Sequence, residues 1–141
     1  MKTKWVLDAS VSLKWFFNQK NHEAETDQAY AFLQAGMEEK AFFLQPSHWL
    51  LEIAAVLARK QPTTATEDIS RLQSFSFYEI IESASIYKKA IDLSIQLNHH
   101  LFDTLYHAIA LEEKAELVTA DEIYYNKARS LGKLRLLKTV S

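Results

Sequence analysis

Four acidic residues stand where acids are costly or conspicuous. Asp8 ends the apolar run Trp5-Val6-Leu7, in KWVLDASV. Asp121 ends a second such run, LVTA. Glu52 is the only acid in SHWLLEIAAVLA, residues 47–58, and Asp103 lies in HHLFDTLYHAIAL, residues 99–111. Each has an ordinary explanation. Asp and Ser open turns and cap helices, which accounts for Asp8 before Ala9 and Ser10. Glu52 would form a salt bridge or point to solvent. Asp103 would sit in a first helical turn, where the macrodipole favours a carboxylate. These explanations must hold separately, whereas one hypothesis covers all four acids. Carboxylates gathered in a water-poor pocket repel each other and raise their own pKa values, and a divalent cation removes the conflict. Oxygen ligands in a chain without cysteine select a hard ion, Mg2+ or Mn2+. Such an ion activates water and stabilises charge on phosphoryl oxygens.

The pattern around the acids supplies the scaffold. Residues 4–8 read as a strand, 10–17 as a short helix and about 22–38 as a longer one. AFFLQPS is a strand stopped by Pro46, with Ser47 placed to cap a helix over about 47–60. Residues 65–74 read as a helix and FYEII as a third strand; helices follow at about 83–98 and 102–114. ELVTAD is a fourth strand, 122–131 a helix and LRLLK a last strand. This alternation predicts an α/β fold: a parallel sheet with helices on both faces. Ligands in such folds gather beyond the carboxyl ends of the strands, and Asp8 and Asp121 both sit there.

Leu50, Ile53, Ala54 and Leu57 form an apolar stripe at helical spacing, and most of the remaining positions are apolar too. The expectation is a helix buried nearly all round, with Glu52 as a lone buried carboxylate. Such burial costs several kcal/mol, on the order of a domain's whole stability, unless it is compensated. In the later helix, Phe102, Leu105, Tyr106 and Ile109 form the core stripe and Asp103 lies on another face.

The bulk numbers exclude other classes. The chain has 141 residues, 48% of them hydrophobic, with two prolines, two glycines and no repeat or linker. It reads as one domain over residues 1–141. Without cysteine it holds no disulfide and no thiolate metal site. Its apolar runs are too short to span a bilayer, and Asp8 and Lys14 interrupt any signal-peptide core. The expectation is a cytoplasmic protein with no membrane partner. Net charge is −2, so the whole chain is no polycation. Yet no acid follows Glu122, while Lys127, Arg129, Lys133, Arg135 and Lys138 do. That run is either a solvated face or a basic rim suited to a phosphate-rich substrate.

VLDASV, PSHWLLEIAAVL, LFDTLYHAIAL and LVTADEIYYNKA, in this order and spacing, resemble the signature blocks of PIN-domain ribonucleases. The compact size resembles the VapC-type toxins of toxin–antitoxin pairs. The likeness covers residue 4 to about residue 138. It implies a Rossmann-like PIN fold and a Mg2+- or Mn2+-dependent endoribonuclease that hydrolyses RNA with a metal-activated water, leaving a 5′-phosphate and a 3′-hydroxyl. It places Asp8, Glu52 and Asp103 at the family's three central acids and Asp121 at a more variable fourth. Asp8 and Asp103 would be the main metal ligands, Glu52 would hold or help activate the attacking water, and Asp121 would complete the cage. Ser10 and Thr119 fall at supporting polar positions, and Thr104 could hydrogen-bond locally. Many relatives carry Asn three residues after the Glu, where Ala55 stands here. The likeness also implies a homodimer and a small antitoxin whose C-terminal segment covers the acids.

Other residues take simpler readings. His99 and His100 read as a surface pair. His107, one turn after Asp103, is placed to hydrogen-bond that acid. Tyr124 and Tyr125 read as packing residues before base-stacking ones. Lys14, Lys127 and Arg129 are candidate phosphate contacts. Two competing functions remain at this level. A non-catalytic PIN-like scaffold binding RNA or protein would be marked by loss of an acid. A phosphatase or response-regulator-like domain would need an acid pair after the first strand, where LDAS supplies one.

Overall fold

The structure is a computed structural model that describes residues 2–17 and 25–140. Among these, five parallel strands form one sheet in the order β3-β2-β1-β4-β5: β1 Thr3–Leu7, β2 Ala41–Gln45, β3 Tyr78–Ile80, β4 Glu116–Thr119 and β5 Leu134–Leu136. The helices are α1 Ala9–Ser12, α2 Thr26–Met37, α3 His48–Lys60, α4 Ala65–Ser74, α5 Ala84–Leu97, α6 Leu101–Glu113 and α7 Glu122–Ala128. The α/β architecture is the one expected. The chain order reverses between β1 and β4, which opens a crevice at their carboxyl ends.

The central strands are short because both their faces are covered. Val6 and Leu7 in β1, Phe43 and Leu44 in β2, and Leu117 and Val118 in β4 are all buried. Trp15, Phe17 and Phe32 join this core. Gly36 lets α2 approach the sheet: a Cβ there would meet the Phe77 ring at 2.7 Å.

One side chain extends the ladder toward the crevice. Trp5 pairs with Phe43, and two residues further on Gln45 uses its amide in place of backbone. Gln45 Nε2 donates to the Leu7 carbonyl at 2.7 Å, and Oε1 accepts from Leu7 N–H at 2.8 Å. The Gln45 carbonyl meanwhile accepts from Ile81 N–H. Leu7, immediately before Asp8, is therefore clamped from the β2 side, and Asp8 N–H is tied to the Val118 carbonyl of β4 at 3.0 Å.

Several local expectations are corrected. The helix expected over 10–17 is α1 followed by a 3-10 turn at Leu13–Trp15. The long helix expected from about residue 22 begins at Thr26, and residues 18–24 lie outside the described chain. Ser47 stands at the α3 N-cap but its side chain makes no capping bond. Helix α3 is not buried all round: Trp49, Ile53 and Leu57 are buried, while Leu51 is 72% exposed and Ala55 and Ala58 are exposed too. It lies on the sheet by one face, and alanines are cheap on the other. Phe102 is likewise 62% exposed and stands outside the core stripe of α6.

Candidate functional site

All four acids reach the carboxyl edge of the sheet, each delivered by a different element. Asp8 follows β1, Glu52 lies in the second turn of α3, Asp103 in the first turn of α6, and Asp121 between β4 and α7. The capping explanation fails for Asp8, whose side chain makes no cap bond to α1. Two hydroxyls hold it instead. Ser10 Oγ donates to Asp8 Oδ2 at 2.9 Å and Thr119 Oγ1 donates to the same oxygen at 2.8 Å. Both hydroxyls are themselves fixed: Ser10 Oγ accepts from Ala120 N–H and Thr119 Oγ1 from Asp121 N–H. Asp8 is largely enclosed by protein, and this desolvation pushes its pKa up to about 6 against the lowering effect of the two hydroxyls. The charges of Asp103 and Glu52 add smaller upward contributions, so the three acids feel one another.

Glu52 is held from α6 and from its own helix. Tyr106 Oη donates to Glu52 Oε1 at 2.7 Å, and His48 Nε2 lies 3.0 Å from the same oxygen. The Tyr106 ring is fully buried, and burial together with the charges of Asp8 and Glu52 pushes its pKa far up, so the phenol keeps its proton and donates. His48 Nε2 also lies 2.9 Å from the Phe102 carbonyl, which can only accept; this nitrogen therefore carries the proton and ties α3 to the start of α6. Ala55 faces solvent, and Glu52 draws its support from Tyr106 and His48.

Asp103 is held by His99, whose Nε2 lies 2.7 Å from Asp103 Oδ2. Asp121 caps α7: its Oδ1 accepts from Ile123 and Tyr124 N–H. Ligand atoms of His99, Asp103 and Asp121 lie within 4.8 Å of one another, and a cleft of about 650 Å³ lined by these three, His100, Leu101 and Lys127 opens beside them. One regularity runs through the set. Among the described residues, the hydrogen bonds fall on a single oxygen of each acid: Oδ2 of Asp8, Oε1 of Glu52, Oδ2 of Asp103 and Oδ1 of Asp121. Of the four acids, Asp103 and Asp121 join His99 in the compact cluster, while Asp8 and Glu52 stand outside it. Hard oxygen donors around a desolvated carboxylate, with one imidazole nearby, are a donor set that fits Mg2+ or Mn2+.

Other expectations about the site are corrected. Thr104 does bond locally, to the Leu101 carbonyl at 3.2 Å, and also to the Ala90 carbonyl of α5 at 2.9 Å; among the described residues it bonds no acid, because the next residue on a helix points about 100° away from Asp103. His107 does not reach Asp103. Its Nε2 donates to the Gly132 carbonyl at 2.8 Å and its Nδ1 accepts from Tyr124 Oη at 2.8 Å. His99 is no surface residue: its side chain is 8% exposed. Lys14 is buried within the 3-10 turn and lies off any exposed rim. Lys127 is exposed, but it bonds the Asn98 carbonyl and His99 Nδ1. The basic run is partly neutralised, with Arg135 paired to Glu116 and Lys138 to Glu122. Arg129 remains exposed beside the Tyr125 ring. The residues that sequence reasoning passed over are His48, Tyr106 and His99. The signal was present: His precedes both Glu52 and Asp103 by four residues.

The comparisons with known proteins agree with this geometry. Residues 5–130 match the PIN domain family. No match is found among curated protein sequences. Among solved structures, PAE2754 from Pyrobaculum aerophilum is similar at 17% identity, with a TM-score of 0.63 over 99% of this chain and 94% of that one. A toxin–antitoxin complex from Klebsiella pneumoniae is similar at 18% identity, with a TM-score of 0.65 over 94% of this chain and 96% of that one. VapC20 of Mycobacterium tuberculosis, described as a sarcin-ricin loop cleaving toxin, is similar at 12% identity, with a TM-score of 0.66 over 86% of this chain and 93% of that one. With its match spanning most of its length and four acids at the sheet edge, the chain belongs to the PIN domain family.

Proposed function

We propose that this protein is a Mg2+- or Mn2+-dependent endoribonuclease, the toxin of a toxin–antitoxin pair. The carrying observation is the set of four carboxylates at one sheet edge, each hydrogen-bonded through a single oxygen among the described residues. When bound, such a cation neutralises the acids, activates water and stabilises charge on phosphoryl oxygens. Asp8 and Asp103 offer the principal ligand oxygens, with Asp121 beside Asp103. Glu52, aimed by Tyr106 and His48, would hold a water by hydrogen bond. The similar structures from Klebsiella pneumoniae and Mycobacterium tuberculosis support the toxin reading by the roles printed for them. RNA as substrate, a small antitoxin as partner, a homodimer and a cytoplasmic location belong to the same proposal. Among the described residues no helix is long and apolar enough to cross a membrane.

The test is cleavage of a structured RNA pool. Wild type should cut with Mg2+ or Mn2+ and stop on chelation with EDTA, and Asp103→Asn should not cut under either condition. Cleavage that survives rigorous chelation would refute the mechanism.

A further inference from the structure

We propose that His99 positions Asp103 by donating its Nε2 proton to Oδ2. The proposal rests on reading this pocket as a cation site. His99 sits just before α6, enclosed by three elements. Ser94 of α5 donates to its backbone carbonyl at 2.6 Å, and the ring packs edge-on to Tyr124 of α7 at 4.9 Å. Its two nitrogens face opposite partners. Nε2 lies 2.7 Å from Asp103 Oδ2, and Nδ1 lies 3.2 Å from Lys127 Nζ. An ammonium donates and cannot accept, so Nδ1 must be the bare nitrogen; a carboxylate accepts, so Nε2 must carry the proton. A second proton on Nδ1 would point at the Lys127 ammonium. Lys127 is itself anchored, donating to the Asn98 carbonyl at 3.2 Å.

The result is a directed chain from α7 through the α5–α6 junction to Asp103. It spends Oδ2 of Asp103 on His99 and presents Oδ1 to the crevice. His99 acts here through Asp103. A nitrogen that ligates a cation has no proton to give, and this one donates its proton to the acid. Residues that orient ligands in this way are typically worth about 10–100-fold in metal affinity. Lys127 is thus partnered within the protein, although it borders the same cleft.

Two measurements decide the matter without RNA cleavage, so they stand or fall apart from the ribonuclease reading. In the metal-free full-length protein, imidazole ¹⁵N NMR should show His99 protonated at Nε2 and bare at Nδ1. In Lys127→Met, an exposed substitution, the Nε2 proton should stay in place, because Asp103 still accepts it. An Nδ1–H tautomer in either protein would overturn the positioning role. Mn2+ affinity, followed by EPR, should fall about tenfold in His99→Leu. His99→Gln, whose amide keeps a donor where Nε2 stands, should restore most of the loss. Equal loss in both variants, or no Mn2+ binding by wild type, would overturn the positioning role. Nitrogen hyperfine coupling from His99 on bound Mn2+ would also overturn it, by making the imidazole a ligand.

Discussion

Asp8 and Asp103 are the same residue in one crevice, held by opposite kinds of neighbour. Asp8 forms the floor. It grows out of the central strand, is clamped through Leu7 and Val118, and receives two hydroxyls on one oxygen. Asp103 forms the lip. It rides on the first turn of α6 and receives a single imidazole. Glu52 belongs with the lip, since it too rests on a histidine and a phenol. The floor is rigid and dry, and it pushes its acid toward neutrality. The lip is wetter and is set by groups whose hydrogen-bond roles depend on tautomer. A cation site needs both. The floor supplies a desolvated ligand that gains most from a counter-charge, and the lip supplies ligands aimed by imidazole and phenol.

The largest effect expected is on catalysis, where floor and lip should prove equal. Asp8→Asn and Asp103→Asn should each lower RNA cleavage by about 10³-fold, roughly 4 kcal/mol of barrier, with the fold intact by circular dichroism. A loss at one site and not the other would assign the chemistry to that half alone.

Stability should separate them. Folding raises Asp8 from 3.8 to about 6, so the native metal-free protein holds this proton more tightly than the unfolded chain does. Below the lower value both states are protonated and the group costs nothing. As pH rises through the window between the two values, the unfolded chain ionises first and stability falls. Above the upper value the cost levels off, at about 1–3 kcal/mol once residual solvent access is allowed for. Asp8→Asn should therefore stabilise the metal-free protein by about 1–3 kcal/mol at pH 7 and by nothing near pH 3.5. Denaturant melts at both pH values, in chelator, check this. A destabilised Asp8→Asn at pH 7 would mean that the two hydroxyls outweigh the burial.

The floor was more legible in the sequence than the lip, for a physical reason. An apolar strand that stops on an acid is a local pattern, and in a parallel sheet two such ends meet at one edge whatever surrounds them. Asp8 and Asp121 were readable in this way, and Ser10 and Thr119 only through the family resemblance. The lip depends on which helical faces meet. His48 and His99 each stand four residues before an acid, but such a pair is ordinary on a solvated helix and acquires its role only when α3, α6 and α7 converge. Thr104 bonds its own helix and α5 rather than an acid, because adjacency in sequence is not adjacency on a helix. Lys14 misled because a 3-10 turn takes it into the interior.

That contrast gives a smaller, cleaner test with two threonines. Thr119→Val removes the donor to Asp8 and the acceptor for Asp121 N–H at once. It should weaken Mn2+ binding about tenfold, the usual range for a lost supporting bond. Thr104→Val should leave Mn2+ affinity unchanged and cost about 1 kcal/mol of stability, the ordinary worth of one buried hydrogen bond. Titration and melting of both variants check this. Interchanged outcomes would remove Thr119 from the site and put Thr104 in it.

The smallest effect expected lies outside both floor and lip, on the basic surface. Among the described residues, most of the candidate cations beside the crevice are buried or already partnered. Lys14 is buried, Lys127 is spent on His99 and Asn98, and Arg135 and Lys138 are paired with acids. Arg129 is the exposed cation left among the three candidates, beside the Tyr125 ring. Arg129→Ala should lower the slope of log K against log salt for single-stranded RNA binding by about 1, the share of one phosphate contact. Lys127→Met should change that slope by less, because its ammonium already has partners. Binding measured at several salt concentrations distinguishes the two. A larger slope change from Lys127 than from Arg129 would place the RNA backbone over the lip, and His99 would then sit beneath the substrate as well as beside the cation.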